Sequence, residues 1–294
     1  MAIITGVISK LSGSVGSLTF ARLGDVTVVR EKIERKRTSR RTWRQMRRRV
    51  LWSNLVNLYR AFGGTLHPSF EDRAANRSDF NEFMSVNIGG QGVALTAEEA
   101  RQGACVVAPY QLTRGSLPGV MVSIDSSHQV VTDISLGSLT IGSSTTLQAF
   151  STALLENNEA WADGDQLSVY VAVQEVDGVS GMPRVSLKAY EVTLDVNDDE
   201  TLVEDIVGAN LLGVQDGMLK LNSTLIGGVA VVHSRKERGV TKVSSQRFVV
   251  DNPTLAQYQT AGAVNAAVLS YGDVVQDDFL TPNIDIPMAD TVNP

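Results

Sequence analysis

From about residue 89 to residue 250, short β-type runs return roughly every ten residues with turn-forming residues between them, and this rhythm leaves few folds open. The runs are ACVVAPYQLT, GVMVSID, QVVTDISLG, QLSVYVAVQEV, RVSLKAYEVTL, GGVAVVHSRKE and KVSSQRFVVD. Strands this short and evenly spaced predict a mainly β (α+β) chain built on an antiparallel sandwich or barrel. In QLSVYVAVQ, Leu167, Val169, Val171 and Val173 alternate with Ser168, Tyr170, Ala172 and Gln174, which marks one buried face. Two hairpins are expected, at Asp177-Gly178 with a long loop and at Arg238-Gly239. One helix, Ser151 to Trp161, interrupts the strands and stops at Ala162-Asp163-Gly164-Asp165.

What precedes this region follows a different pattern. SLTFARL and VTVVREK flank Gly24-Asp25 and predict a β-hairpin, with Gly6, Gly13 and Gly16 in an arm before it. Thr38 or Ser39 can cap a helix that runs to Gly63-Gly64, where the glycines allow a stop. Trp43, Met46, Val50, Leu51, Leu55, Val56, Leu58, Tyr59 and Phe62 recur at spacings of three and four, so the second half of that helix is an amphipathic packing element. A shorter helix, Ser78 to Val86, offers Phe80, Phe83 and Met84 to it. The 294 residues thus divide into an N-terminal unit (1–88), a β domain (89–250) opening at the NIGGQG linker, and an extended C-terminal arm (251–294) punctuated by Pro253, Pro282, Pro287 and Pro294.

Charge divides the chain the same way. Between Arg30 and Arg49, eleven basic residues stand against Glu31 and Glu34, a local +9 that leaves the remainder at −15 for a net −6. Such a segment repels itself unless something negative lies beside it. Nine of the eleven are arginine, whose planar fork suits phosphates and carboxylates. Arg35, Lys36, Arg37, Arg40, Arg41, Arg44, Arg47, Arg48 and Arg49 are therefore the candidate residues for assembly or phosphate contact.

Chemistry of other kinds finds little support. Cys105 is the only cysteine, so no internal disulfide and no thiolate cluster can form. His67, His128 and His233 have no close-spaced partners. In Asp195 to Asp205 the first, third and fifth positions match a calcium loop, but Glu200 replaces the required glycine and Ile206 the bidentate glutamate. Ser234, Ser244 and Ser245 lie near His233 without the Gly-x-Ser-x-Gly turn of a nucleophile. No cofactor, metal or catalytic residue is expected, and the chain is read as non-enzymatic. The start, MAIITGVISKLSG, lacks the basic flank of a signal peptide, and no apolar run nears the roughly 20 residues that span a bilayer, so a protein made in a host cytoplasm without membrane contact is expected.

Several of these segments carry a resemblance. Gly6, Gly13, Gly16 and Phe20, the hairpin ending in VVREK, the run Arg37-Thr38-Ser39-Arg40-Arg41-Thr42 and a helix with Gln45, Arg48 and Trp52 resemble a group of uncharacterised virion proteins of Bacteroidetes phages and prophages. SDFNEFMSVN (78–87), NNEAWADGDQLS (157–168) and VSSQRFVVD (243–251) are similar to segments of the same group. The resemblance implies a structural protein of a tailed phage, of which the crAss-like phages, with stacked tail rings of β-domain subunits, are one kind. The partners it implies are other copies of the chain in a ring and neighbouring virion proteins. Unlike surfaces meeting head to tail generate rings when the rotation closes, which suits a positive segment on a negative body. A second reading is a nucleic-acid-binding protein packaged with or bordering the phage genome, with the arginines, and Trp43 and Trp52 near them, against DNA phosphates. A third, an enzyme acting on cell-surface polymers, needs a convergent carboxylate pair for which no residue speaks.

Overall fold

The computed structural model describes residues 2–4, 12–23, 26–32, 41–66, 69–74, 76–209, 211–222, 226–272 and 274–275. Strands β1 (Ala2–Ile4), β2 (Gly13–Val15), β3 (Leu18–Leu23) and β4 (Val26–Glu31) form an antiparallel sheet in the order β1-β4-β3-β2. β3 and β4 pair from Leu18↔Glu31 to Leu23↔Val26, and Gly24-Asp25 between them lies outside the described residues. There follow β5 (Arg41–Thr42), α1 (Trp43–Ala61), β6 (Ser69–Phe70), α2 (Asp79–Asn87), α3 (Ala97–Arg101) and β7 (Gln111–Arg114). The body continues with β8 (Val122–Ile124), β9 (Val130–Ser135), α4 (Leu147–Asn157), β10 (Gln166–Val176), β11 (Pro183–Thr193), α5 (Val203–Val207), β12 (Leu212–Gln215) and β13 (Met218–Leu221). The last elements are β14 (Gly227–Glu237), β15 (Val240–Val243), β16 (Gln246–Arg247), β17 (Val249–Asp251), α6 (Leu255–Gln259), α7 (Ala261–Ser270) and β18 (Val274–Val275).

The chain is mainly β with several antiparallel sheets, and among the described residues none of them closes, so the barrel alternative falls. The central sheet runs β11-β10-β14-β15, with β17 also on β14. β10 and β11 pair without interruption from Gln166↔Thr193 to Val176↔Pro183, and β10 pairs with β14 from Gln166↔Ser234 to Val173↔Gly227. Gly227 takes φ +142°, and a Cβ there would stand 2.0 Å from the Ala172 carbonyl oxygen, so only glycine lets the strands close at that corner. Arg238 and Gly239 turn β14 into β15 with φ of 50° and 81°, the left-handed pair that a two-residue hairpin needs. Asp216 and Gly217, at φ 53° and 76°, do the same between β12 and β13, a turn the sequence reading passed over.

The alternation in β10 was read as one buried face, but both faces are buried. Leu167, Val169 and Val171 enter a core with α4, Ile134, Val203, Leu219 and Leu221, beneath the second sheet β12-β13-β9-β8. Tyr170 and Ala172 enter another, with Leu55, Leu58, Phe62, Phe83 and residues of the 93–112 segment. The polar member Gln174 survives burial because its amide is saturated. Its Oε1 accepts from Val107 N–H and Asn252 Nδ2, and its Nε2 donates to the Cys105 and Arg184 carbonyls.

α1 is fixed into the first core by its second half. Asn54 donates to the Val106 carbonyl and the Tyr110 hydroxyl and accepts from Val106 N–H, while Asn57 donates to the Ala100 and Ala104 carbonyls. Residues on both sides of the Asn87–Gly92 linker therefore share one core. At its end, Gly63 and Gly64 adopt φ of 56° and 87° after the cap residue Phe62.

Two further expectations need correction. Residues 255–270, read as part of an extended arm, form α6 and α7, and Val264, Ala267 and Val268 pack on Met46 and Val50 of α1. The sequence AGAVNAAVLS is rich in alanine, the best helix former, and Thr260 caps it from Ala263 N–H; the prolines that suggested an arm lie before it or beyond the described residues. The helix expected over 151–161 is instead Leu147–Asn157, capped by Thr146. It ends there because the Asn158 side chain turns back to Ser135, donating to its carbonyl and accepting from its N–H. Trp161 is thereby released from the helix into a turn.

Candidate functional site

Of the nine candidate contact residues, Arg35, Lys36, Arg37 and Arg40 lie outside the described residues, and Arg41 is described only as part of β5. Arg44, Arg47, Arg48 and Arg49 lie in the first half of α1 and are exposed. Thr38 and Ser39, the expected caps of the helix, lie outside the described residues; it starts instead at Trp43, because Thr42 and Gln45 form a capping box in which the Thr42 hydroxyl accepts from Gln45 N–H and the Gln45 side chain accepts from Thr42 N–H. From there Met46 and Val50 point inward, and Arg44, Arg48 and Trp52, each one turn further on, form an outward stripe.

Among the described residues the electrostatics of this stripe are unfavourable. No acidic residue occupies the first turn of α1, so the cations sit at the positive end of the helix dipole, and Arg44 and Arg48 stand at like-charge i,i+4 spacing. Each effect costs a few tenths of a kcal/mol to about 1 kcal/mol. Arg49 gains a neighbour, its guanidinium lying 5.2 Å over the Tyr271 ring, and the Tyr271 hydroxyl meets that of Ser53 at 3.1 Å. Among the described residues neither Arg44 nor Arg48 meets a carboxylate. Six arginines elsewhere do: Arg73 on Asp79, Arg77 on Glu82, Arg101 on Glu98, Arg114 on Asp72 and Glu82, Arg184 on Asp177, and Arg235 on Asp165.

The opposite charge is concentrated on the body. Residues 115–219 hold sixteen aspartates and glutamates against Arg184 and Lys188, a net −14. Around the end of α4 and the turn after β11, Glu156, Glu159, Asp163, Asp199 and Glu200 are exposed. Asp195 and Asp198 of that turn cap backbone N–H groups of residues 197, 200 and 201, and the hydrogen bonds from Thr201 and Glu200 hold the Asp198 carboxyl below its ordinary value. Among the described residues no group of three or more His, Cys, Asp or Glu is arranged to hold a metal ion. Burial pushes the Cys105 thiol up to about 11, which leaves it a neutral packing residue.

The structure also joins residues that sequence reasoning left apart. Asp165, in the turn after α4, lies between His233 and Arg235 of β14, with Trp161 stacked on the histidine ring. Ser244 is present too, but its hydroxyl accepts from the His233 backbone N–H and does not touch the ring, so no nucleophile is aligned. Only the pairing of β10 with β14 brings these residues together, and no spacing in the sequence signals it. An open cleft of about 660 Å³ lies between α4 and residues 136–140, lined by Ser138, Thr140, Gln148, Thr152, Glu156 and Asn157, with one titratable group and no convergent set around it. No described helix is long and apolar enough to cross a membrane. Comparison with protein-family models, with curated proteins and with solved structures returns no match.

Proposed function

We propose that this chain is a non-enzymatic structural subunit of a tailed-phage virion, as a ring, collar, tail-barrel or capsid-associated protein, which assembles by setting the basic face of α1 against acidic surface on an adjacent subunit. The body is read as a β-sandwich, the central sheet facing β12-β13-β9-β8, preceded by the N-terminal hairpin and the basic helix. The observation that carries the reading is the exposed stripe Arg44, Arg48 and Trp52, whose arginines meet no carboxylate among the described residues, on a helix whose other face is locked into the body, in a chain whose acidic excess lies elsewhere. Like charges collected on one rigid face cost stability in a lone chain and gain it back against an anionic partner. Ring closure follows if the same two unlike surfaces meet around an axis.

The test is Arg44→Glu with Arg48→Glu. Both side chains are exposed, so the variant folds with the wild-type far-UV spectrum, while the oligomer seen by light scattering falls to monomer. An oligomer of unchanged mass in the double variant overturns the reading.

One observation favours a second reading, contact with genomic DNA. Trp52, 41% exposed one turn from Arg48, offers a stacking surface next to a phosphate-seeking cation. Binding of that kind weakens steeply with salt, so retention on DNA that vanishes between about 50 and 200 mM salt supports it, and no retention at low salt removes it.

A further inference from the structure

The cluster at the base of β14 has a sealed centre. The side chains of His233 and Asp165 are each 1% exposed, with His233 Nε2 2.8 Å from Asp165 Oδ2. Arg235 grips the same carboxylate with two hydrogen bonds of 2.7 Å and donates to the Ala160 carbonyl. The Trp161 ring lies on the imidazole with centroids 3.8 Å apart and planes at 17°. His233 Nδ1 is buried with no hydrogen-bond partner among the described residues. We propose that His233 is a proton-operated latch on the turn 158–165, which holds the turn against β14 while neutral and releases it when protonated.

The argument rests on the unpaired nitrogen. In the neutral ring Nε2–H donates to Asp165 and Nδ1 keeps a bare lone pair, a tolerable loss in apolar surroundings. Protonation converts Nδ1 into a charged donor facing no acceptor, the costlier kind of unsatisfied buried group. Nor does the surrounding charge absorb it. Asp165 carries one negative charge already matched by Arg235, so a second cation leaves the cluster at net +1, with only the Arg235 side chain, 25% exposed, reaching solvent. Glu237 lies 3.9 Å from Arg235 and is engaged by Lys242 at 2.7 Å, and the carboxylates of the turn itself, Glu159 and Asp163, are exposed. The strands beside His233 add no charge at its level, Leu167 standing opposite on β10 and Ser244 receiving its backbone N–H. Burial accordingly drives the His233 imidazole below its ordinary value, against the pull of Asp165.

The turn is anchored at its two ends. Besides the cluster, Asn158 bonds Ser135 in both directions and donates to the Leu154 carbonyl, while Gly164 N–H donates to the Leu194 carbonyl, Leu194 N–H to that of Asp165, and Val196 N–H to Asp163 Oδ1. Between those ends the bonds are local, Trp161 N–H to the Asn158 carbonyl and Ala162 N–H to Asp165 Oδ2, so the segment around Trp161 can respond. Releasing the turn therefore loosens the acidic segment 195–200 as well.

Trp161 reports the event once Trp43 and Trp52 are replaced by Phe. Between about pH 8 and about pH 5 its emission is expected to shift to the red with a midpoint below about 6.5, at constant far-UV signal, and the shift is expected to be absent after His233→Gln. A Trp161 emission wavelength that stays constant, whether or not its intensity falls, or a shift that persists in the glutamine variant, overturns the latch. Should that variant fail to fold, hydrogen exchange on the wild-type chain decides. Corrected for intrinsic chemistry, exchange of 158–165 rises at the lower pH while 227–232 stays protected; equal protection of 158–165 at both pH values overturns the proposal.

Discussion

The two halves of α1 have the same backbone and opposite fates. From Val50 to Ala61 the helix is a core element, with Leu55 and Leu58 at most 1% exposed and two asparagines bonded to the 100–106 backbone. From Trp43 to Arg49 it is an exposed cationic rod that touches α7 on one side through Met46. The first half contributes little to holding the fold together and carries most of the cost of charge repulsion. A helix that is stabilised at one end and loaded at the other is suited to presenting the loaded end.

Substitutions along the helix sharpen this contrast. Leu58→Ala, in the closed half, is expected to cost about 2–5 kcal/mol by leaving a cavity beside Phe62 and Phe83, and urea unfolding measures it. Asn54→Ala comes next, at about 1–3 kcal/mol, since it orphans the buried Val106 N–H and carbonyl together. Thr42→Ala removes the cap of the exposed half and is expected to cost about 1 kcal/mol in the same measurement. Arg48→Ala is expected to change stability by less than about 0.5 kcal/mol and, if the proposed assembly holds, to weaken that assembly, so a large loss of stability would break the comparison.

Acid acts on the body and leaves the arginines charged throughout. His233 has a lowered folded value, so the unfolded chain takes up its proton first. Its contribution to stability is present above the ordinary histidine value and is lost as pH falls towards the folded one. Asp165 behaves alike at lower pH: burial opposes its charge, but hydrogen bonds from Arg235, His233 and the Ala162 backbone outweigh burial and hold the carboxyl low. Unfolding free energy is therefore expected to fall in two stages on acidification, and only the first disappears in His233→Gln.

Much of this was legible in the residues. The mainly β character, the hairpin turn at Arg238-Gly239 and the capped helix Asp79–Asn87 follow from local patterns that need no knowledge of neighbours. The exposed half of α1 was legible for the same reason, since a run of arginines cannot be buried without partners. Where local signals competed the reading slipped. Proline spacing outweighed an alanine-rich helix at 261–270, and the helix near 151 was placed four residues late because its end depends on Asn158 reaching Ser135.

By itself the sequence determined the charge polarity, the strand rhythm and which half of α1 carries the arginines, because composition and period are properties of contiguous residues. Only the tertiary structure decided that β10 is buried on both faces, that 255–270 returns to cover α1, and that Asp165 meets His233 across 68 positions. Those outcomes rest on which strands pair and which surfaces stack, and the free energy of burial that selects them belongs to residues distant along the chain.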